Sequence, residues 1–310
     1  MLEKVVVVGK SGVHVLDSNA RIDQTIANES MLSEMNGCVM SSSGLCVSLL
    51  EKAKLVFISH ENVFRASVPE MMTSITCTNE GEILFCGSKS GKLYVWHLRE
   101  GNLLYCEQIF YNEVTDVKLD PLESSLLLSS SNGDLSLVKL VDLFTNDLHT
   151  KHFLGHTTHI LSVCNKRYGL DSVDFLSVSR DKNLRLWREN STQSVKSFQL
   201  QSNPLKLYSY RGTYLLCDDG NLVIINLKEF TLQYVKLHPG PVYSFLEVGN
   251  QFISCSFDGI RVWDSHFNLI SLYNPNLSIN QMFTVKSIPR CNYKQLLKLK
   301  LQNVANTIQI

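Results

Sequence analysis

Phe175-Leu176-Ser177-Val178-Ser179-Arg180-Asp181-Lys182-Asn183-Leu184-Arg185-Leu186-Trp187 decides the fold. Read at a period of two, it is a strand, a tight turn at Asp181-Lys182-Asn183, and a second strand ending on Trp187. Bulky and β-branched apolar residues flanking a polar turn are the signature of a β-hairpin. Upstream, Gly155-His156 opens a further apolar segment, Ile160-Leu161-Ser162-Val163. Over Gly155–Trp187 the order is therefore a Gly-His pair, a strand serine, a turn Asp, and a Trp six residues after that Asp.

The rest of the chain repeats this unit. Ser90-Gly91-Lys92-Leu93-Tyr94-Val95-Trp96 keeps the turn and the Trp, with Ser90 in the Asp position. Asp258-Gly259-Ile260-Arg261-Val262-Trp263 keeps both, one residue shorter. Asn132-Gly133-Asp134-Leu135-Ser136-Leu137-Val138 and Asp219-Gly220-Asn221-Leu222-Val223-Ile224-Ile225 are degenerate copies, with Val138 and Ile225 in the Trp position. Each turn carries a Gly, because a tight hairpin turn needs the positive φ that Gly or Asn supplies. The strand-end anchors fall at 96, 138, 187, 225 and 263, in steps of 42, 49, 38 and 38 residues. Unit and spacing resemble the WD repeat, whose propeller blade takes roughly 40–45 residues. The resemblance implies an all-β fold, a seven-bladed WD40 β-propeller, with Trp96, Asp258 and Trp263 as blade anchors. It also implies a structural hydrogen-bond tetrad of His156, Asp181, Trp187 and one of Ser177 or Ser179, with Ser179 expected.

The 310 residues are 44% hydrophobic and 19% charged, with 29 basic against 29 acidic side chains. That balance argues against a general grip on nucleic acid, which leaves a basic excess, but leaves room for a local basic patch. The absence of a long apolar run predicts no membrane span, and Val5–Val8 is too short for a signal-peptide core. Nine scattered cysteines without a Cys-x-x-Cys pair read as free thiols, small core hydrophobes in a reducing compartment. The sequons at Asn28, Asn190 and Asn276 would then never meet the glycosylation machinery.

Val5–Val8, a turn at Gly9–Gly12, and Val13–Leu16 make a first hairpin, and Ile22–Ile26 supplies a third strand. A blade needs four, and the far end offers the missing innermost one at Ser278–Val285, which resembles Thr73–Cys77, Val114–Leu119 and Pro241–Phe245. The expected closure is thus a composite blade, which removes two free sheet edges. Blade two runs over Gly44–Pro69, three over Met72–Gln108, four over Glu113–Val141, five over Gly155–Leu200, six over Asn203–Leu237 and seven over His238–Tyr273. A short helix or turn is expected at Val141–Leu148, and Asn165–Ser172 lengthens a loop of blade five. Residues 1–289 read as the propeller and 290–310 as a helical extension, in which Leu297, Leu301, Val304 and Ile308 recur at helical spacing. That seam reads as a self-association or partner helix, as a helix packed on its own propeller, or as a tail. Leu297–Leu301 also alternates at a period of two, which leaves a strand open.

Three motifs that suggest chemistry read better as structure. Val8-Gly9-Lys10-Ser11 lacks the Gly five residues before the Gly-Lys that a phosphate loop needs, and a strand follows it instead of a helix. His156 with a serine and Asp181 has the composition of a catalytic triad, but nothing in the sequence points to an oxyanion hole or a cleft. His149, His152, His156 and His159 cluster, yet the strand beginning near Phe153 breaks any shared helix face and no Cys or carboxylate set completes a metal site. No cofactor is expected.

Two segments narrow the function. The blade over Val68-Pro69-Glu70 and Glu80–Leu104 is one; Val114-Thr115-Asp116-Val117, Leu126–Asn132 and Val141-Asp142-Leu143-Phe144, followed by the loop that opens blade five, is the other. Together they resemble the WD-repeat subunit of the complex that processes and remodels large-subunit pre-ribosomes beside the AAA ATPase Midasin. The resemblance runs nearly the whole chain, and includes a second blade without Trp and a C-terminal extension. It departs in shorter loops, a shorter tail and no basic nuclear-targeting cluster. It implies a non-catalytic scaffold, nuclear or nucleolar, that pairs with helical-repeat proteins and pre-ribosomal particles. It further implies a homodimer through the C-terminal helix, at most weak or indirect RNA contact, and no membrane. Lys294, Lys298 and Lys300 offer a small basic surface. Rival classes are a ubiquitin-ligase substrate receptor or trafficking scaffold, for which Asp181 followed by Arg185 or Arg188 is a slight foothold, and an enzyme. The last needs titratable residues converging at the ring centre, where the innermost strands carry mainly Ser, Thr and apolar residues.

Overall fold

The computed structural model describes residues 4–9, 12–17, 21–27, 35–41, 44–49, 52–58, 63–145, 149–167, 173–229, 231–274 and 279–285. The chain opens with β1 (Lys4–Gly9), β2 (Gly12–Leu16) and β3 (Ile22–Ala27), followed by β4 (Met35–Ser41), β5 (Gly44–Leu49), β6 (Lys54–Ile58) and β7 (Val63–Ser67). Next come β8 (Met72–Cys77), β9 (Ile83–Ser88), β10 (Lys92–His97), β11 (Asn102–Gln108), β12 (Val114–Leu119), β13 (Ser125–Ser130) and β14 (Leu135–Lys139). The short helix α1 (Leu140–Thr145) leads to β15 (Thr150–Phe153). Then follow β16 (Ile160–Arg167), β17 (Val173–Ser179), β18 (Asn183–Arg188), β19 (Lys196–Gln199), β20 (Pro204–Ser209), β21 (Thr213–Cys217), β22 (Asn221–Asn226) and β23 (Thr231–Lys236). The last strands are β24 (Ser244–Val248), β25 (Gln251–Ser256), β26 (Gly259–Trp263), β27 (Leu269–Tyr273) and β28 (Ile279–Val285).

Among the described residues these strands form four-stranded antiparallel sheets, seven in all, and the fold is an all-β propeller. Six sheets keep sequence order, and the first has the order β28-β1-β2-β3. β28 pairs antiparallel with β1, Val285 lying opposite Lys4 and Gln281 opposite Val8. The run Val5–Val8 is apolar at every position because the second strand of a sheet is covered on both faces; β13 is likewise buried throughout. Outer strands alternate instead, as in β11, where exposed and half-buried residues alternate along the first half.

The apolar core is divided among clusters shared by neighbouring sheets. Second and third meet around Phe57, Met72 and Trp96, third and fourth around Phe85, Val117 and Leu143, fourth and fifth around Phe153, Phe175 and Trp187. Fifth and sixth meet around Leu186 and Leu215, sixth and seventh around Tyr214, Phe245 and Trp263, and seventh and first around Val5, Val262 and Met282.

Polar bonds reinforce these junctions near the axis. Register shifts follow Met72, Val114, Ile160 and Pro204 on the innermost strands, and a bulge re-aims the side chain beside it. The residue after the bulge then accepts an N–H from the next sheet. Val117 N–H donates to Ser74 Oγ at 3.0 Å, Val163 N–H to Asp116 Oδ2 at 3.1 Å, and Leu207 N–H to Ser162 Oγ at 3.2 Å. Met282 N–H of the closing strand donates to Ser244 Oγ at 3.1 Å in the same way. Asp116 also receives the Ser74 and Ser162 hydroxyls at 3.3 and 3.1 Å and lies 3.4 Å from Lys118 Nζ. One buried carboxylate therefore ties three innermost strands.

Several expectations are corrected. The second sheet has a fourth, innermost strand, Met35–Ser41, where the sequence reading began at Gly44; its mixed Met-Asn-Gly-Cys composition hides the alternation. Asn165–Arg167 continue β16 rather than forming a loop, Arg167 pairing with Val173. The innermost strand of the seventh sheet is Ser244–Val248, later than Pro241–Phe245, because two prolines flank Gly240. The helix is the shorter α1, Leu140–Thr145, and it lies within the fourth sheet, between β14 and β15, so that sheet runs on to Phe153 where the sequence reading ended it at Val141. The extension from 290, with Leu297, Leu301, Val304 and Ile308, lies outside the described residues. Cys46, Cys86, Cys164, Cys217 and Cys255 are buried thiols in the sheets, and burial pushes the Cys217 and Cys255 thiols up to about 12.

Candidate functional site

The tetrad forms at the junction of the fourth and fifth sheets. His156 Nδ1 lies 3.1 Å from Asp181 Oδ2, and His156 Nε2 lies 2.7 Å from Ser177 Oγ. Trp187 Nε1–H donates to the same Ser177 oxygen at 2.8 Å. The serine is thus Ser177, which corrects the expectation of Ser179. Both lie on one face of β17, but Ser177 pairs with Arg185, one step beyond the turn. Ser179 lies beside the turn, where its hydroxyl meets Thr158 Oγ1 at 2.8 Å and donates to the Thr158 carbonyl at 3.1 Å.

Local sequence positions each partner. A Cβ at Gly155 would stand 2.8 Å from the Trp187 ring, so only glycine lets the indole close on this loop. Lys182 takes the left-handed turn position, φ 60°, that glycine fills at 91, 133 and 220. Asp181 holds that turn by accepting the Asn183 N–H at 2.8 Å. Burial lowers the His156 pKa against the raising effect of Asp181. Burial alone would push the Asp181 carboxyl up, but hydrogen bonds from His156 and Asn183 outweigh it and hold it below its usual value. A neutral imidazole then donates from Nδ1 to Asp181 and accepts the Ser177 hydroxyl at Nε2.

The connectivity copies a catalytic triad, but Ser177 and Trp187 are fully buried and the indole occupies the serine oxygen. A substrate has no route to it.

A second tetrad at the seventh sheet contains the anchors Asp258 and Trp263. His238 Nδ1 lies 2.6 Å from Asp258 Oδ1 and Nε2 lies 2.7 Å from Ser254 Oγ, which accepts the Trp263 indole N–H at 2.8 Å. Arg261 caps it, donating to Asp258 Oδ2 at 2.6 Å and to the Leu237 carbonyl at 2.7 Å. Sequence reasoning missed His238 and Ser254 because Leu237 replaces the glycine of the Gly-His pair. In the third sheet Glu70 takes the histidine's place: Ser90 Oγ and Tyr94 OH both donate to its Oε1 at 2.8 Å. Trp96 stacks on Tyr94, ring centroids 5.3 Å apart. Of the four clustered histidines, His152 bonds Ser136 at 2.8 Å and points away from the tetrad of His156. Among the described residues no three His, Cys, Asp or Glu side chains gather as metal ligands.

Residues 148–188, the stretch holding the first tetrad, match the WD domain, G-beta repeat of the WD40 family. The Pre-rRNA-processing protein IPI3 of Yarrowia lipolytica is 24% identical over 270 residues, which cover 76% of this chain and 63% of that protein. The chain thus spans less than two thirds of that relative's length. The protein of the same name from Scheffersomyces stipitis is 32% identical over 130 residues, 38% of this chain and 25% of its own. In fold, the computationally designed Ika8 protein is similar at a TM-score of 0.68 and 16% identity, over 90% of this chain and 86% of the designed one. The chain is an all-β propeller that carries a WD40 repeat and is similar, at modest identity over much of its length, to pre-rRNA-processing proteins named IPI3.

Proposed function

We propose that the chain is a non-catalytic scaffold subunit in the maturation of large-subunit pre-ribosomes and the processing of their RNA. The observation that carries this reading is its similarity to IPI3 proteins across three quarters of its length, 76% in the Yarrowia lipolytica protein. Support comes from the tetrads, whose reactive-looking side chains are consumed in holding the sheets together. On this reading the propeller is a closed seven-bladed ring over residues 1–289. Its added junction, between the first sheet and the second, completes the six described clusters. The structural tetrad is His156, Ser177, Asp181 and Trp187, and the partners are protein subunits of the pre-ribosome, the AAA ATPase among its company. The protein would work in the nucleus or nucleolus. Affinity purification of the tagged full chain tests the reading: large-subunit pre-ribosomal proteins should co-purify. Recovery of cullins or coat subunits instead would overturn it in favour of a ubiquitin-ligase receptor or a trafficking scaffold.

A further inference from the structure

One end of the propeller carries the turns that join β8 to β9 and β12 to β13. Helix α1 stands at the same end, since Lys139, which precedes it, pairs with Ser125 at the start of β13. The two sheets are joined there by Asn79 N–H donating to Glu123 Oε1, and α1 is held by Leu140 N–H donating to the Ser124 carbonyl at 2.9 Å. Leu143 faces inward and is buried. Val141 and Phe144 face outward, 69% and 52% exposed, and Leu122 on the neighbouring turn is 55% exposed. Val141 and Phe144 are three apart on a helix and so share a face. Two bulky apolar side chains left in water one turn apart, with a third on the neighbouring turn, mark a contact surface better than scattered singles do.

Among the described residues carboxylates outnumber cations around them. Glu80, Glu82 and Glu100 are exposed, and Glu123 and Asp142 partly so. Positive side chains near this seam, among the described residues, include Arg99, 4.0 Å from Glu82, and Lys139, which turns to Glu189 of the fifth sheet at 3.9 Å. They also include Lys151, which lines one cavity with Lys139 and Asp142 and donates to the Glu189 carbonyl. A chain whose total charge is zero thus concentrates five carboxylates around its exposed apolar seam.

We propose that Leu122, Val141 and Phe144, rimmed by Glu80, Glu82, Glu100, Glu123 and Asp142, dock a basic amphipathic segment of a partner polypeptide. Its apolar side chains cover the three hydrophobics, and its lysines or arginines meet the carboxylates. Exposed ion pairs contribute little affinity, so the apolar anchors carry the strength while the carboxylates set charge selection and association rate. The inference goes beyond the proposed function and stands or falls independently of which assembly the chain serves.

The test uses the full chain and a fluorescent synthetic peptide with leucines at helical spacing and lysines between them, read by anisotropy. Binding should weaken with salt and fall at least about tenfold in Val141→Asp/Phe144→Asp, while Glu82→Gln/Glu123→Gln should flatten the salt dependence. Ile270→Asp/Leu272→Asp, on an exposed strand elsewhere, should bind as the parent does. On the parent, the peptide should slow hydrogen exchange at 120–124 and 140–145, a readout needing no substitution. Equal binding by the Val141/Phe144 variant, equal loss in the Ile270/Leu272 variant, or no protection at those amides overturns the proposal. So does self-association abolished by Val141→Asp/Phe144→Asp without peptide binding, which would make this a face for a second copy.

Discussion

Ser177→Ala and Ser179→Ala should behave very differently although the two serines are two residues apart on one strand face. Ser177 Oγ accepts the Trp187 indole N–H at 2.8 Å and meets His156 Nε2 at 2.7 Å. Alanine fills nearly the same volume, so the cost is that of two orphaned polar groups. Trp187 is fully buried and the His156 side chain is inaccessible, so water cannot replace the lost partner. An unsatisfied buried group costs about 1–3 kcal/mol, which gives about 2–6 kcal/mol for the pair. Ser179 bonds the Thr158 hydroxyl and carbonyl, and Thr158 is exposed. Water can take over there, so Ser179→Ala should cost about 1 kcal/mol or less. Urea unfolding monitored by tryptophan fluorescence reads both, provided the transition is cooperative with unchanged slope. Equal midpoints for the two variants, or a larger shift for Ser179→Ala, would refute the tetrad assignment.

The other expectations rest on the same networks. Asp116→Ala removes the acceptor of two serine hydroxyls and the Val163 N–H and should cost about 3 kcal/mol, with Asp116→Asn recovering part of it; equal effects of the two would show that the carboxylate is not the tie. Gly220→Ala should destabilise by more than about 1 kcal/mol in thermal melts, since φ is +87° and a Cβ would stand 2.0 Å from the His238 carbonyl oxygen. Stability should fall as pH drops below about 6.5: burial lowers the pKa of His14, His156, His159 and His238. Because the unfolded chain then binds protons first, acid favours unfolding, and the lowered Asp181 carboxyl adds a further loss below its ordinary range. A melting temperature flat from pH 7 to 5 would contradict that sign.

What could be read from the sequence follows from where the pattern is local. Ser177–Trp187 is a hairpin, and its turn, alternation and Trp spacing all fall within one short stretch. The closing strand was legible because its innermost-strand pattern could be compared with others in the same chain. β4 was not, since its Asn36-Gly37 pair reads as a turn and breaks the alternation of the strand it belongs to. His238 and Ser254 stand sixteen residues apart, and the link between them is tertiary. The choice of Ser177 over Ser179 was equally out of reach, because both satisfy the same period-two face and only the reach of the Trp187 indole separates them.

Asp116 was overlooked for a related reason: its partners Ser74 and Ser162 lie on two other sheets. The axial bonds also explain an irregularity between the sixth and seventh sheets. Lys206, which follows the register shift of β20, cannot accept an N–H as Ser74, Asp116, Ser162 and Ser244 do. Aromatic contacts take over at that junction. Tyr210 OH donates to the Phe245 carbonyl at 2.9 Å, Tyr208 OH lies 3.4 Å from Ser244 Oγ, and Phe245 packs against Tyr208, Tyr214 and Phe252 with ring centroids 6.5, 5.1 and 5.4 Å apart. Ring packing contributes about 0.5–1.5 kcal/mol per pair beyond burial, comparable to the net worth of the missing hydrogen bond. Tyr210→Phe keeps the ring and removes one hydrogen bond, so it should cost about 1 kcal/mol, less than Ser162→Ala, which orphans the Leu207 N–H and takes a donor from Asp116. A silent Tyr210→Phe beside a damaging Ser162→Ala would mean that ring burial alone holds the sixth sheet to the seventh.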